Sequence, residues 1–433
     1  MNKHFASIDY LLFFACAFLT FIGILFIYSS GINSDGVLTS NEFVKQIIWG
    51  STGIILVIVV SLYDYTKIKE YSSFIYIAGI LVLLYTIFFG RYVKGARSWI
   101  GIGGVGIQPS EFMKLVYVAF LSNYLERSQK EHELKRFLKA GVITLVPMLL
   151  ILLQPDLGTA SVYIPIFLIL CFVAGIKVRY IAFVFFVIAF GLLFILYPIW
   201  ESYVIKEISR FTPVFTNFKY TLLLFSLFFI VTLLFGVGYF FFRKRYYYWL
   251  IFVFSILCCA LILCVAGLKV LKPYQMMRLI VFLDPNIDAL NSGWNINQSL
   301  IAIGAGGLQG AGFLKGTQSH YKFLPEQSTD FIFSILLEEW GFIGGLFIFG
   351  LYLIIFWRIL NTVKRCADFY GKLVCTGILV IFFYHFCINI GMVMGIMPVM
   401  GIPLLFLSYG GSSLWAAMIA LGMVLGINVR QIG

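Results

Sequence analysis

The chain is 433 residues long, with 61% hydrophobic and only 12% charged residues, against about 25% charged in soluble domains. A water-soluble fold, a disordered chain and a secreted disulfide scaffold are excluded together, because 46 Phe and 25 Tyr cannot stay solvated and 8 Cys make no framework. A net charge of +12 does not point to nucleic acid, since Lys and Arg sit in short loops between apolar runs, the mark of membrane topology.

Runs able to cross a bilayer, about 20 apolar residues each, fall near 9–29, 44–63, 72–90, 109–126, 157–176, 179–197, 220–242, 246–268, 329–357, 371–392 and 404–427. The segment 138–153 is short and carries Pro147, so it is either a twelfth span or a re-entrant hairpin leading into Gln154-Pro155-Asp156. The expected fold is an all-α polytopic integral membrane protein of about twelve transmembrane helices, a single membrane domain over 1–433. Clusters such as Arg127 to Lys139, Arg243-Lys244-Arg245 and Arg358 to Lys372 put both termini in the cytoplasm by the positive-inside rule. The first apolar run lacks a small-residue cleavage site and reads as a retained span. Under this topology 91–108, 154–158, 393–403 and a long loop near 269–328 face outward, and the unusual polar residues gather there.

The cysteines lie almost all in apolar runs without a Cys-x-x-Cys pair and read as packing residues, and the four His are scattered singly. In the first outward segment, Gly101, Gly103, Gly104 and Gly106 satisfy G-x-G-x-x-G. With no preceding strand and no βαβ unit, a compact Gly-rich turn is the simpler reading. Pro109 then opens a helix whose first turn holds Glu111, three residues before Lys114 on the same face. That pair is either a local ion pair or the wall of a polar cavity. Asp156 is an acid at an outer helix start, a bland N-cap or a cavity residue.

The long loop opens with a short amphipathic helix over 275–283 bearing Arg278, ended by Asp284-Pro285. Asp284 is most simply a turn residue. Asp288, before a flexible Asn291-Ser292-Gly293, is placed to reach a substrate at the membrane face. Six glycines between 304 and 316 allow close backbone approach. Glu338 and Glu339, inside or at the inner end of a span, need polar partners, for which inward basic loops are the simplest source.

Together these segments resemble the RodA/FtsW/SpoVE family of bacterial cell-wall polymerases. The resemblance rests on Lys94-Gly-Ala-Arg97-Ser-Trp99-Ile, Gln108-Pro-Ser-Glu111-Phe, Gln154-Pro-Asp156-Leu-Gly-Thr159-Ala and Asp284-Pro-Asn-Ile-Asp288. Further motifs are the Leu324-Pro-Glu to Thr329-Asp330-Phe block, Glu338-Glu339-Trp340-Gly, and Pro403 to Ser412-Ser413. Gly316-Thr317-Gln318-Ser319 and short termini look most like the RodA branch. The family usually has ten spans, so a helix pair over about 178–245 reads as inserted, and it usually has His where Ser328 stands.

The resemblance implies a peptidoglycan glycosyltransferase that polymerises lipid II on the outer face of the bacterial plasma membrane, during cell elongation, with a class B penicillin-binding protein and the elongation machinery as partners. It places the essential outward carboxylate on Asp288. The expected mechanism has Asp288 as general base on the acceptor hydroxyl, with Arg97, Lys94, Arg278 or Lys114 receiving the lipid pyrophosphate and Glu111 and Asp156 lining the substrate cavity. No cofactor follows from any motif; a divalent cation, Mg or Mn, bridging pyrophosphate and Asp288 or Asp156 is compatible with the chemistry. The rival functions are a lipid II flippase or other transporter, and a non-catalytic scaffold for a synthase.

Overall fold

The computed structural model describes residues 9–93, 95–102, 105–205, 212–270, 273–288 and 292–432. In chain order its elements are α1 (Tyr10–Ser30), α2 (Glu42–Leu62), α3 (Tyr65–Phe89), β1 (Arg91–Val93), β2 (Ala96–Ile102), β3 (Val105–Ile107), α4 (Pro109–Arg127), α5 (Glu133–Leu153), α6 (Leu157–Ser161) and α7 (Tyr163–Val173). There follow α8 (Val178–Trp200), α9 (Thr212–Thr216), α10 (Phe218–Phe242), α11 (Arg245–Val270), α12 (Pro273–Leu283), a 3-10 turn at Pro285–Asp288 and α13 (Ser292–Gly306). The last are α14 (Thr317–His320), α15 (Ile332–Arg365), α16 (Phe369–Val393) and α17 (Gly411–Ile432). Contacts divide the chain into two units, Met1–Gly175 with Gln298–Gly433, and Ile176–Asn297.

Among the described residues ten helices are long and apolar enough to cross a membrane, namely α1, α2, α3, α5, α8, α10, α11, α15, α16 and α17. Between these spans in chain order lie the more charged helix α4 and the shorter apolar stretch Leu157–Val173. Several starts are set by side-chain caps: the carboxylates of Asp9, Asp64, Asp156 and Asp368 each accept a backbone N–H two or three residues on. The cap bond from Thr66 holds the Asp64 carboxyl below its usual range.

The segment left open between span and hairpin is the 21-residue helix α5, long enough to cross. Pro147 takes a backbone donor away from the Ile143 carbonyl four residues earlier. The Tyr76 hydroxyl on α3 donates to that carbonyl at 2.7 Å, which lets the helix run through its proline.

Between α3 and α4 the described residues form three antiparallel strands in the order β1-β2-β3, with Gly101 paired to Gly106 across β2 and β3; Gly103 and Gly104 of the expected Gly-rich turn lie outside the described residues. Gly95, at φ +87°, lies just before Ala96, which pairs with Val93. Strands are therefore present, but no crossover helix joins them, and the dinucleotide reading still fails.

One end of the first unit is tied by basic side chains. Arg358 meets Asp9 at 2.6 Å and Lys69 meets Glu126 at 2.7 Å. Arg136, within the basic cluster Arg127 to Lys139, is 5% exposed and donates to the Leu125 and Ala174 carbonyls at 2.5 and 3.0 Å, satisfying the ends of α4 and α7. Arg430 does the same for α2, reaching the Ser61 and Leu62 carbonyls at 3.2 and 2.7 Å.

Within α15 the helix breaks at Gly341 (φ 64°, ψ −164°), which frees backbone N–H and C=O groups from the helical ladder in an apolar layer. The glycine-rich turn after α13 bonds four of them. Ala311 and Gly312 N–H donate to the Glu338 and Glu339 carbonyls at 2.9 and 3.0 Å, while Phe342 and Ile343 N–H donate to the Gly307 and Leu308 carbonyls at 2.9 and 3.2 Å. Two backbones meet this closely only without side chains: a Cβ on Gly310, itself at φ +81°, would lie 2.1 Å from the Glu339 carbonyl oxygen. Gly310→Ala is expected to destabilise the protein by about 2 kcal/mol or more. Thermal unfolding followed by size-exclusion chromatography in detergent measures this, and an unchanged midpoint contradicts the repair.

Candidate functional site

The pair anticipated at the start of α4 is buried. Glu111 and Lys114 are 4% and 2% exposed, and their carboxylate and ammonium lie 2.9 Å apart. A third member escaped the sequence: His385 on α16, 1% exposed, places Nε2 3.0 Å from the Lys114 ammonium and Nδ1 3.0 Å from the Pro403 carbonyl. A carbonyl only accepts, so Nδ1 carries the proton and Nε2 offers its lone pair to Lys114. The result is a directed chain from the Glu111 carboxylate through ammonium and imidazole to the loop before α17. A cavity with about 10 Å³ open to the centre of a water molecule, room for roughly one water, adjoins Glu111 and Lys114 and is walled by Phe382, Leu405, Ser413 and Ala417. Lys114 is therefore committed within the protein and is not an exposed phosphate ligand.

Asp156 accepts from Thr159 N–H at 3.0 Å, Thr159 Oγ1 at 2.8 Å and Gln108 Nε2 at 2.9 Å. It thus caps α6 and also ties that helix to the residue that ends the meander, whose own N–H donates to Ser412 Oγ at 2.9 Å. Three of the sequence motifs converge here on one half-exposed carboxylate.

Glu338 and Glu339, both buried, turn to different partners from those expected. Glu338 accepts from Gln318 N–H at 2.7 Å, Ser319 N–H at 3.2 Å and Thr317 Oγ1 at 3.2 Å. Glu339 accepts from Ser29 Oγ and from Leu314 N–H at 3.2 Å. The acids sit near the start of α15, beside the break, and hold the loop before it; inward basic loops are not involved. Glu338→Gln weakens three contacts to a carboxylate at once, so cleavage by an added protease between residues 311 and 322 is expected to rise several-fold, to about five times wild type. An unchanged cleavage rate would remove Glu338 from the clasp.

In the second unit α12 is amphipathic as the sequence predicts. Ile280 is buried against Ile195, Ile199 and Cys264, with Met276, Met277 and Ile287 packed around, while Arg278 is exposed. Asp284 takes the turn role, accepting from Asn286 N–H at 2.9 Å. Asp288 closes the 3-10 turn and is half-buried. Gly293 is not a flexible hinge: a Cβ there would lie 2.0 Å from the Pro285 carbonyl oxygen and 2.9 Å from that of Asp288, so α13 seats directly on the turn that carries the acid. Arg97 is exposed on β2, and Lys94 lies outside the described residues. Among the described residues no three His, Cys, Asp or Glu side chains gather as a metal site would require.

The family model for FtsW, RodA and SpoVE, described as cell cycle protein, matches residues 10–222 and 221–432. The chain belongs to this family. Among relatives in the FtsW/RodA/SpoVE family, the protein named peptidoglycan glycosyltransferase RodA of Treponema pallidum (strain Nichols) is 52% identical over 427 residues, covering 99% of both chains. Stage V sporulation protein E of Bacillus subtilis (strain 168) is 32% identical over 99% of both. Peptidoglycan glycosyltransferase MrdB of Escherichia coli (strain K12) is 30% identical over 88% of this chain and 83% of its own. The fold is shared with a chain of a solved peptidoglycan synthase complex, at TM-score 0.64 and 24% identity, and with RodA of Thermus thermophilus, at 0.61 and 21%; each match covers 98% of both chains.

Proposed function

We propose that this chain is a peptidoglycan glycosyltransferase that polymerises lipid II at the outer face of the bacterial plasma membrane during cell elongation and shape maintenance, with Asp288 as its general base. The observation that carries the activity is the 52% identity, across 99% of both chains, to a protein named for it. The lower identity to the sporulation relative, 32%, favours the elongation role.

Sidedness follows from the basic ties that gather at one end of the first unit, which the positive-inside rule assigns to the cytoplasm. Twelve alternating passes then leave both termini inside and the segment after α11 outside. Lipid II is an amphiphile with its pyrophosphate at the bilayer surface, and α12 suits that depth, with an apolar face packed away and a guanidinium exposed.

In the reaction the acceptor sugar's 4-hydroxyl attacks the anomeric carbon of the lipid-linked chain. The bond from that carbon to the pyrophosphate oxygen breaks, and the polyprenyl pyrophosphate leaves with the electron pair. Asp288 takes the hydroxyl proton as the new glycosidic bond forms. Arg278, ten residues earlier on the same surface segment, pairs with the departing phosphate charge. Arg97 is an exposed guanidinium of the first unit on the outward meander. A divalent cation, Mg or Mn, held between the pyrophosphate and Asp288 or Asp156 is compatible with these steps. The synthase partner is a class B penicillin-binding protein, a reading supported by the solved synthase complex whose chain shares this fold.

The broken helix at Gly341 and the acids beside it favour a second reading, a lipid II flippase. The test uses purified protein with its partner's transpeptidase disabled, given lipid II in detergent, where translocation has no meaning. Glycan polymer is the expected product. No polymer would leave transport or scaffolding.

A further inference from the structure

In the second unit α11 packs against both α8 and α10. The amino ends of α8 and α11 and the carboxyl end of α10 therefore lie together. Four cations collect at that end: Arg179 in the first turn of α8, and Arg243, Lys244 and Arg245 in the turn between α10 and α11. All four are exposed. Asp and Glu are absent from 157–200 and from 208–283, so the helices that carry these cations supply no acid of their own.

The turn is tight. Arg243 sits at φ +50°, which brings the helix ends together and crowds three cations into consecutive positions. Aromatic residues flank them on all three helices. Arg179 donates to the Tyr180 hydroxyl at 2.9 Å and covers its ring at 4.8 Å. Tyr239 meets Tyr248, and Phe242 meets Tyr247, with ring centroids 6.4 and 5.9 Å apart. Just before the turn, Phe240, Phe241 and Phe242 are 76%, 73% and 64% exposed. An acidic protein segment would match the cations and leave these rings uncovered. An amphiphile with an anionic head and acyl chains matches both at once.

We propose that this end of α8, α10 and α11 is a binding site for the phosphate headgroups of anionic phospholipids, with the guanidinium and ammonium groups on the phosphate and the exposed Phe run against the acyl chains. The helix pair whose purpose the sequence leaves open thereby anchors the second unit to a charged leaflet.

The full-length protein, purified in detergent, is loaded with phosphatidylglycerol or phosphatidylcholine, and retained lipid is counted by native mass spectrometry. The wild type is expected to keep phosphatidylglycerol in clear preference. The variant carrying Arg243→Gln, Lys244→Gln and Arg245→Gln should lose about 100-fold in that preference, at roughly fivefold per basic side chain. Inorganic phosphate alone should fail to displace the lipid. Equal retention of both lipids by the wild type would overturn the assignment and leave the patch to an acidic protein. So would displacement by inorganic phosphate, or an unchanged preference in the variant. The wild-type comparison decides the matter even if the variant does not fold.

Discussion

Lys114→Met is expected to lower stability by about 3–5 kcal/mol, the cost of leaving a buried charge without its partner. The ammonium serves two acceptors, Glu111 Oε2 at 2.9 Å and His385 Nε2 at 3.0 Å, and the site is closed apart from a cavity of about one water. Methionine fills the stem's volume and donates to neither. Glu111→Gln combined with Lys114→Met removes both charges and should recover most of the loss. Thermal midpoints of the purified single and double variants read this directly. A single variant as stable as wild type, or a double variant worse than the single, would contradict a buried pair held by mutual charge.

That pair shows how far a sequence carries. Glu111 and Lys114 are three residues apart on one helix, and their contact follows from helical spacing alone. His385 is 271 positions from Lys114, a lone imidazole in an apolar run, and nothing local marks it as the third member. The same division runs through the fold. Span positions follow from apolar runs, and α12 from its amphipathic pattern. The repair of α15 does not, because the break at Gly341 and the turn at Gly307–Gly312 are compatible only in three dimensions. The glycines signalled a close approach but not its target. Glu338 and Glu339 were legible as acids needing partners, and their partners turned out to be backbone N–H groups and the hydroxyls of Thr317 and Ser29, which carry no sequence signature. The three strands between α3 and α4 were missed because the glycines there suggested a turn, whereas the pairing of Val93 with Ala96 is set by backbone geometry that the residue types permit without announcing.

Asp288→Asn is expected to cut lipid II polymerisation by about 10²–10⁴-fold, the usual contribution of a positioned general base. The amide keeps the size and shape of the carboxyl but cannot take the acceptor's proton. Folding should be preserved, since the turn is held by Ile287 packing on α12's apolar partners and by α13 seated at Gly293. Asp284→Asn is the matched control. Asn can accept the same bond from Asn286 N–H that Asp284 accepts at 2.9 Å, so this variant should stay within a few-fold of wild type, about threefold at most.

The decisive measurement is the rate of glycan polymer formation from lipid II in detergent, compared for wild type, Asp288→Asn and Asp284→Asn at matched thermal stability. The expected result is a near-complete loss confined to Asp288→Asn. Polymer at the wild-type rate from a folded Asp288→Asn protein would contradict the general-base role.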